Sequence, residues 1–367
     1  MKGEIVIIYL DHAATTPLCE AAKKAIIEHL DDFGNPSSSH ELGRQARVLI
    51  ECARERIAKC INAEPNEIYF TSGGSEANTW ALSQRHSIDQ VVSTNFEHHS
   101  VSAHQTFPVN MDGFIETWPF KTLGPLVGVV SCMHINNELG TIQPIKKIAK
   151  EILNNSNAWF HVDAVQSVGH IPVDVKDLQC DMLSASGHKY GALKGVGFLY
   201  AQDCIGLKPI INGGKQEFGK RPGTENVLGV VSMAAALEDA VDNMEERNAH
   251  IKNLRDKLLD ILLKIPGSHL NGSIENRVPG NINIRFSGVS GARLVTLCSL
   301  YGVYISSGSA CNEGVSEPSH VLKAIGLSDG NCYLVHIILR ISVFISANQT
   351  RSHIRTESVR FLPLYRL

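Results

Sequence analysis

Charge of one sign is not in excess. The chain has 34 lysines and arginines against 37 aspartates and glutamates, a net charge of −3, so the composition gives no reason to expect a nucleic-acid partner. Long apolar runs are also missing. Ile5 to Leu10 is short, and Leu334 to Ile345 is interrupted by His336 and Arg340, whereas a bilayer span needs roughly 20 apolar residues. Because Ile5 to Leu10 leads straight into Asp11 and His12 without a small-residue cleavage site, it does not read as a signal peptide, and a cytoplasmic protein is expected. The nine cysteines are odd in number and form no C-x-x-C pair, which argues against a zinc site or a disulfide framework, and no metal is expected. There is no internal repeat and no low-complexity segment.

What is present suits a folded enzyme. A length of 367 residues, 43% hydrophobic and 19% charged, allows roughly two domains at about 150 residues each and a large buried core. Short apolar runs alternate with helical stretches as far as about residue 245, the pattern of an α/β unit with a mainly parallel sheet covered by helices. Strands are expected at Glu67–Phe70, Gln90–Ser93, Leu126–His134, Trp159–Val162, Asp181–Ala185 and Gly197–Tyr200, and helices at Glu41–Cys60, Ser75–Gln84 and Ile145–Asn154. Residues 227–263 read as one or two long helices leading out of the large domain. Beyond Pro266 and Gly267 come a strand at Asn281–Phe286, a helix at Gly291–Tyr301, a Gly/Ser-rich loop and a strand around Leu334–Phe344, the shape of a smaller α+β domain.

Five segments carry potential chemistry, each with a plainer alternative. Thr71-Ser-Gly-Gly-Ser-Glu76 follows a strand and opens a helix, so free backbone N–H groups can hold a phosphate there; a simple strand-to-helix connection looks the same. Ser186-Gly-His-Lys189 ends a strand, where α/β folds collect ligand groups. A lysine there can form a Schiff base with an aldehyde cofactor, with Ser186 and His188 near its phosphate, although a lone lysine is usually a solvated charge. Asp163, in His161-Val-Asp-Ala-Val-Gln166, can pair with a pyridinium nitrogen or merely cap a helix. Glu97-His98-His99 can put an imidazole over a cofactor ring or serve as a surface pair. Cys311 stands in the small-residue loop Ser306–Gly314, which favours exposure of a reactive thiolate, although most cysteines are buried and inert.

Taken together and in order, these segments resemble the cysteine desulfurases of the class V aminotransferase family, fold type I enzymes of pyridoxal phosphate. The resemblance runs from Tyr9 to about Ser342. It is carried by Tyr9–Pro17, Gly34–His40, Thr71–Asn78, His134–Gly140, His161–Gln166, Ser186–Lys189, Arg221–Asn226 and Ser307–Cys311. It implies a large domain, residues 14–250, with a mainly parallel seven-stranded sheet between helices. Residues 1–13 and 251–367 would form the small domain with the catalytic cysteine loop.

The same resemblance implies that Lys189 holds pyridoxal phosphate covalently, Asp163 meets its ring nitrogen, Gln166 its hydroxyl, and His98 stacks on the ring and carries protons. Gly74, Ser75, Ser186 and His188 would bind the phosphate, with Thr224 reaching in from the partner of a homodimer. Asn137 would lie beside cofactor and substrate, and Arg340 would clamp the substrate carboxylate. Sulfur from L-cysteine would pass to Cys311 as a persulfide, then to an acceptor protein in iron–sulfur cluster assembly, tRNA thiolation or a related pathway.

A selenocysteine lyase, another enzyme of the family, or a low-activity scaffold of a sulfur-transfer complex are the competing readings. The chain departs from the family pattern after Ser342. There the family has a glycine-containing stretch and an acidic helix, and this tail carries Arg351, Arg355, Arg360 and Arg366 against the single acid Glu357.

Overall fold

The computed structural model describes residues 7–85, 90–115, 127–307 and 319–327, and the backbone of 334–340. In chain order, β1 is Ile8–Tyr9, α1 Glu20–Glu28, α2 Glu41–Cys60, β2 Ile68–Thr71, α3 Gly74–Leu82, β3 Gln90–Thr94, β4 Gln105–Phe107 and β5 Val127–Met133. Then come α4 Ile145–Asn155, β6 Trp159–Asp163, α5 Val175–Leu178, β7 Met182–Ser186, β8 Gly197–Ala201, α6 Gln216–Gly219, α7 Val227–Asp242 and α8 Met244–Leu262. The last part holds β9 Ser268–Leu270, β10 Asn281–Ser290, α9 Gly291–Leu300, β11 Val303–Tyr304, β12 Ser306–Ser307, α10 His320–Ala324 and β13 Leu334–Arg340.

Among the described residues, seven strands form the main sheet in the order β2-β8-β7-β6-β5-β3-β4. Strands β4, β3, β5, β6 and β7 run parallel, and β8 lies antiparallel between β7 and β2. The central strands are apolar and buried on both faces because helices cover both sides. Helix α4 shows how: Ile145, Ile148, Ala149 and Ile152 recur at helical spacing and form its buried stripe. Helix α2 buries Ala46, Ile50, Ala53 and Ile57 in the same way.

The expected strands of the main sheet form with ends shifted by a residue or so, and β10 runs four residues past the expected Phe286 to Ser290, because a strand end is set by its neighbour's register rather than by the apolar run alone. Residues 227–263 form two helices, α7 and α8, with Asn243 between them. A second sheet, β12-β13-β10-β9, is antiparallel and packs its own apolar cluster, which includes Leu259, Ile282, Ile284 and Ile305. Part of the expected Gly/Ser-rich loop is thus an edge strand, since Ser306 and Ser307 pair with Ile338 and Ile337. The expected strand beyond Arg340 and the divergent tail lie outside the described residues. Among the described residues, no helix is long and apolar enough to cross a membrane.

Two segments far apart in the chain meet in a short sheet of their own. Strand β1 pairs parallel with β11, Ile8 opposite Val303 and Tyr9 opposite Tyr304, and the Ser306 hydroxyl donates to Asp11 Oδ1 at 2.9 Å. This pairing holds residues 11–16 over the C-terminal ends of the central strands.

Candidate active site

Strand β7 ends at Ser186, and a tight turn, Gly187–Lys189, follows it. Lys189 Nζ donates to the carbonyls of Ala13 at 2.6 Å and Ala14 at 2.9 Å. Those carbonyls are presented by a loop that Tyr9 braces, its hydroxyl donating to the carbonyls of Asp11 and Thr15 at 3.0 and 3.2 Å. Gln166 Nε2 shares the Ala13 carbonyl at 3.1 Å. The lysine amine is therefore parked against two neutral acceptors beside a cavity of about 220 Å³, which Asp163, His98, Asn137, Gln166, Ser186 and His188 also line.

Asp163, the last residue of β6, is buried. Its Oδ1 accepts the Val165 N–H at 3.0 Å and its Oδ2 the side-chain amide of Asn78 at 2.7 Å. The same Asn78 nitrogen donates to Ser100 Oγ at 2.9 Å, and Ser100 Oγ lies 2.7 Å from His98 Nδ1. His98 Nδ1 also accepts the Ser100 N–H at 3.1 Å, which leaves Nε2 to carry the proton of the neutral ring. Burial is the main force that lowers the His98 pKa; Asp163 opposes it, and Lys189 and His99 add to it. The imidazole is neutral near pH 7 and suited to lie over a flat ring.

At the other end of the cavity, α3 starts at Gly74 and Ser75, where first-turn N–H groups lack intrahelical acceptors and the helix dipole favours an anion. Gly73 just before it has φ +152°, a conformation open to glycine. Across the turn, a Cβ on Gly197 of β8 would come within 2.7 Å of Gly73 Cα, so the strand needs a glycine for the turn to lie this close. His188 Nδ1 lies 3.1 Å from Thr15 Oγ1, and burial, with help from Lys189 and Lys194, lowers its pKa to about 4, so it is a neutral partner at this end.

Asn137 sits in a turn fixed by Asn136, whose buried Oδ1 accepts the N–H groups of Glu138 and Leu139 at 2.9 and 2.8 Å. Behind the cavity wall, Glu97 is buried, and its Oε1 accepts the Thr94 hydroxyl at 2.5 Å and the Met133 N–H at 2.9 Å. Burial lifts its pKa to about 8, with Asp163 also pushing it up against the pull of those two hydrogen bonds.

A lysine between two carbonyls, a buried acid at a strand end, a neutral imidazole and a glycine-lined turn at a helix start fit pyridoxal phosphate in its ring and phosphate parts. Of the residues expected at the site, Lys189, Asp163, Gln166, His98, Asn137, Gly74, Ser75, Ser186 and His188 line one cavity. Thr224 is exposed and not among the residues lining it. Cys311 and the Arg340 side chain lie outside what is described. Asn78, Ser100, Asp11 and Ser306 are positioned at the site without having been assigned a role from sequence. Asn78 and Asp11 stand inside recognised motifs, so the motifs themselves were the available signal.

The family model for aminotransferase class-V matches residues 8–351, running past Ser342, where the motif-based resemblance stops. The chain is 40% identical over 355 residues to the cysteine desulfurase IscS of Methanosarcina thermophila, covering 92% of this chain and 87% of that protein. Among solved structures, a NifS-like protein superimposes with a TM-score of 0.84 at 31% identity, covering 92% of this chain and 94% of the other. SspA in complex with cysteine superimposes with a TM-score of 0.79 at 31% identity, covering 91% and 99%. A fold type I architecture with this match over nearly the whole length defines a class V aminotransferase. Within that class, the chain belongs to the cysteine desulfurases.

Proposed function

We propose that this enzyme converts L-cysteine to L-alanine with pyridoxal phosphate on Lys189 and transfers the sulfur to Cys311. The observation that supports it best is the single cavity in which Lys189, Asp163 and His98 converge, with Ser306, five residues before Cys311, in its lining. The cysteine bound to the SspA relative is consistent with the same substrate class.

Bound there, the cofactor supplies an electron sink that makes the substrate's Cα proton and Cβ–S bond labile. Asp163 would hold the ring nitrogen and Gln166 the ring hydroxyl, while Gly74, Ser75, Ser186 and His188 would hold the phosphate. The Lys189 amine would take the substrate's Cα proton and move it, and the neutral His98 imidazole, in the same cavity, would carry protons. Asn137 and Arg340 orient the substrate, the guanidinium matching the planar carboxylate.

The Cys311 thiolate then attacks the substrate sulfur. A sulfur–sulfur bond forms on the protein as the Cβ–S bond breaks, its electron pair goes to carbon, and protonation there completes alanine. The persulfide sulfur can then pass to another thiol.

Thr224 completes the phosphate site of a partner protomer, so the enzyme works as a homodimer. Residues 14–250 form the large domain and residues 1–13 with 251–367 the small one. The enzyme acts in the cytoplasm, and its sulfur acceptor is a cluster scaffold, a tRNA-thiolation enzyme or a similar protein.

The test is an assay of cofactor-loaded protein with L-cysteine and a reductant, measuring alanine and sulfide together. Equal release is expected, with both products lost in Cys311→Ala while the cofactor spectrum stays. Turnover unchanged in that variant removes the assignment.

A further inference from the structure

The segment from Gly213 to Asn226 is tied to the phosphate turn at two points that the reaction above does not use. The first is buried. Arg54 and Glu217 form a bidentate pair at 2.8 and 2.9 Å with both side chains 2% exposed, and the guanidinium lies 4.6 Å from the Phe70 ring centre and 4.9 Å from that of Phe218.

The same two side chains cover the open edge of β2, the outermost strand of its sheet. Arg54 donates to the Ile68 carbonyl at 2.6 Å, and Glu217 Oε2 accepts the Phe70 N–H at 2.9 Å. Glu217 and Phe218 are held at φ +46° and +56°, which disfavours any residue with a Cβ by about 1 kcal/mol each. The chain accepts that strain to bring the carboxylate inward.

The second tie is four residues on. Arg221 meets Glu76 at 2.9 and 3.3 Å, and Glu76 Oε2 accepts the Ser72 N–H at 2.7 Å. Glu217 thus grips the residue before the turn and Arg221 the turn itself, where Glu76 would otherwise set an unpaired negative charge beside a bound phosphate. Thr224 follows three residues later and is exposed.

We propose that Glu217 and Arg221 are positioning residues for the cofactor's phosphate, one strap fixing the phosphate turn in its own protomer and presenting Thr224 to the partner's. This rests on the reading of Thr224 and of the turn given above. The strap then links the two phosphate sites of a dimer, because releasing it disturbs one turn and withdraws the threonine from the other.

The experiment is an equilibrium titration of the cofactor-stripped protein with pyridoxal phosphate, followed by absorbance, with the assembly state of every variant checked by light scattering. Thr224→Ala is expected to raise the half-saturating concentration about tenfold, Arg221→Met to raise it further, because it frees its own turn as well as the threonine, and Glu217→Gln, which keeps the volume, to move it the same way. The double variant of Arg221 and Thr224 is expected to be no weaker than Arg221→Met alone, because the released strap has already lost the threonine's contact.

Arg221→Met or Glu217→Gln titrating like the wild type overturns the role of that residue, and single effects that multiply in the double variant overturn the shared strap. A variant that falls to monomers also overturns it, since the segment then acts through assembly. An unchanged Thr224→Ala overturns the link between the two phosphate sites and, with it, the reading of Thr224 on which the link rests.

Discussion

Asn78 donates one side-chain nitrogen both to Asp163 Oδ2 at 2.7 Å and to Ser100 Oγ at 2.9 Å, so the acid at the cavity floor and the His98 imidazole are aligned by one amide. A hydrogen bond of this kind to a carboxylate contributes about 1.5–3 kcal/mol when buried. Asn78→Ala is therefore expected to keep the fold, bind pyridoxal phosphate less tightly and slow turnover at least tenfold. A titration and a steady-state assay on one preparation check both effects; unchanged values in both would mean that Asp163 and His98 hold their geometry without it.

Asp11 and Ser306, 295 positions apart in the chain, both line the cavity and are joined at 2.9 Å. Asp11→Ala removes the acceptor while leaving Lys189, Asp163 and the phosphate turn intact. Cofactor affinity is expected to stay within about twofold, while alanine formation falls several-fold because Ser306 leads into the segment that carries Cys311. Asp11→Asn, which keeps an acceptor oxygen, should restore most of the loss.

Glu97 gives the fold a pH dependence of known sign. The unfolded carboxyl titrates near 4.5 and the buried one near 8, so the folded chain holds a proton there that the unfolded chain releases. The stabilisation is complete below about pH 4.5 and is lost as pH rises through about 8. Between about pH 6 and pH 9 the wild type is expected to lose about 3 kcal/mol through this group alone. Glu97→Gln, neutral throughout, should lack that part of the slope in urea unfolding curves at the two pH values. Parallel slopes in the two proteins would place the titration elsewhere.

Gly197 tests the close approach of β8 to the phosphate turn. A Cβ there would lie 2.5 Å from the Ala185 carbonyl oxygen and 2.7 Å from Gly73 Cα, both backbone atoms that cannot swing aside. Gly197→Ala is expected to destabilise the protein by about 1–3 kcal/mol and to weaken cofactor binding, because the phosphate turn must move away from β8. Thermal melts with and without pyridoxal phosphate separate the two effects.

The sequence revealed what local patterns encode. The apolar runs ending in Asp163 and Ser186 are strands because their neighbours on both faces are helices, and the residues just past such ends are where a site forms. The direction of β8 was not legible, because an apolar run of five residues reads the same either way and only its pairing with β2 and β7 fixes it.

The roles of Asn78, Asp11 and Ser306 arise from contacts with residues 85 to 295 positions away, which no local spacing records. Glu217 was hidden for a different reason. An acid in a polar, glycine-rich stretch looks solvated, and only the buried Arg54 opposite it turns it inward.

The parallel pairing of Ile8 and Tyr9 with Val303 and Tyr304 has a consequence for how the enzyme is made. The carbonyls that park Lys189 are oriented by a loop whose own anchor is synthesised only after most of the chain has left the ribosome. The main sheet, whose strands all lie between residues 68 and 201, has its partners much earlier. Assembly of the lysine's resting place is thus a late event of biosynthesis, and a ribosome-bound chain ending before Val303 would carry the sheet without a finished seat for its cofactor.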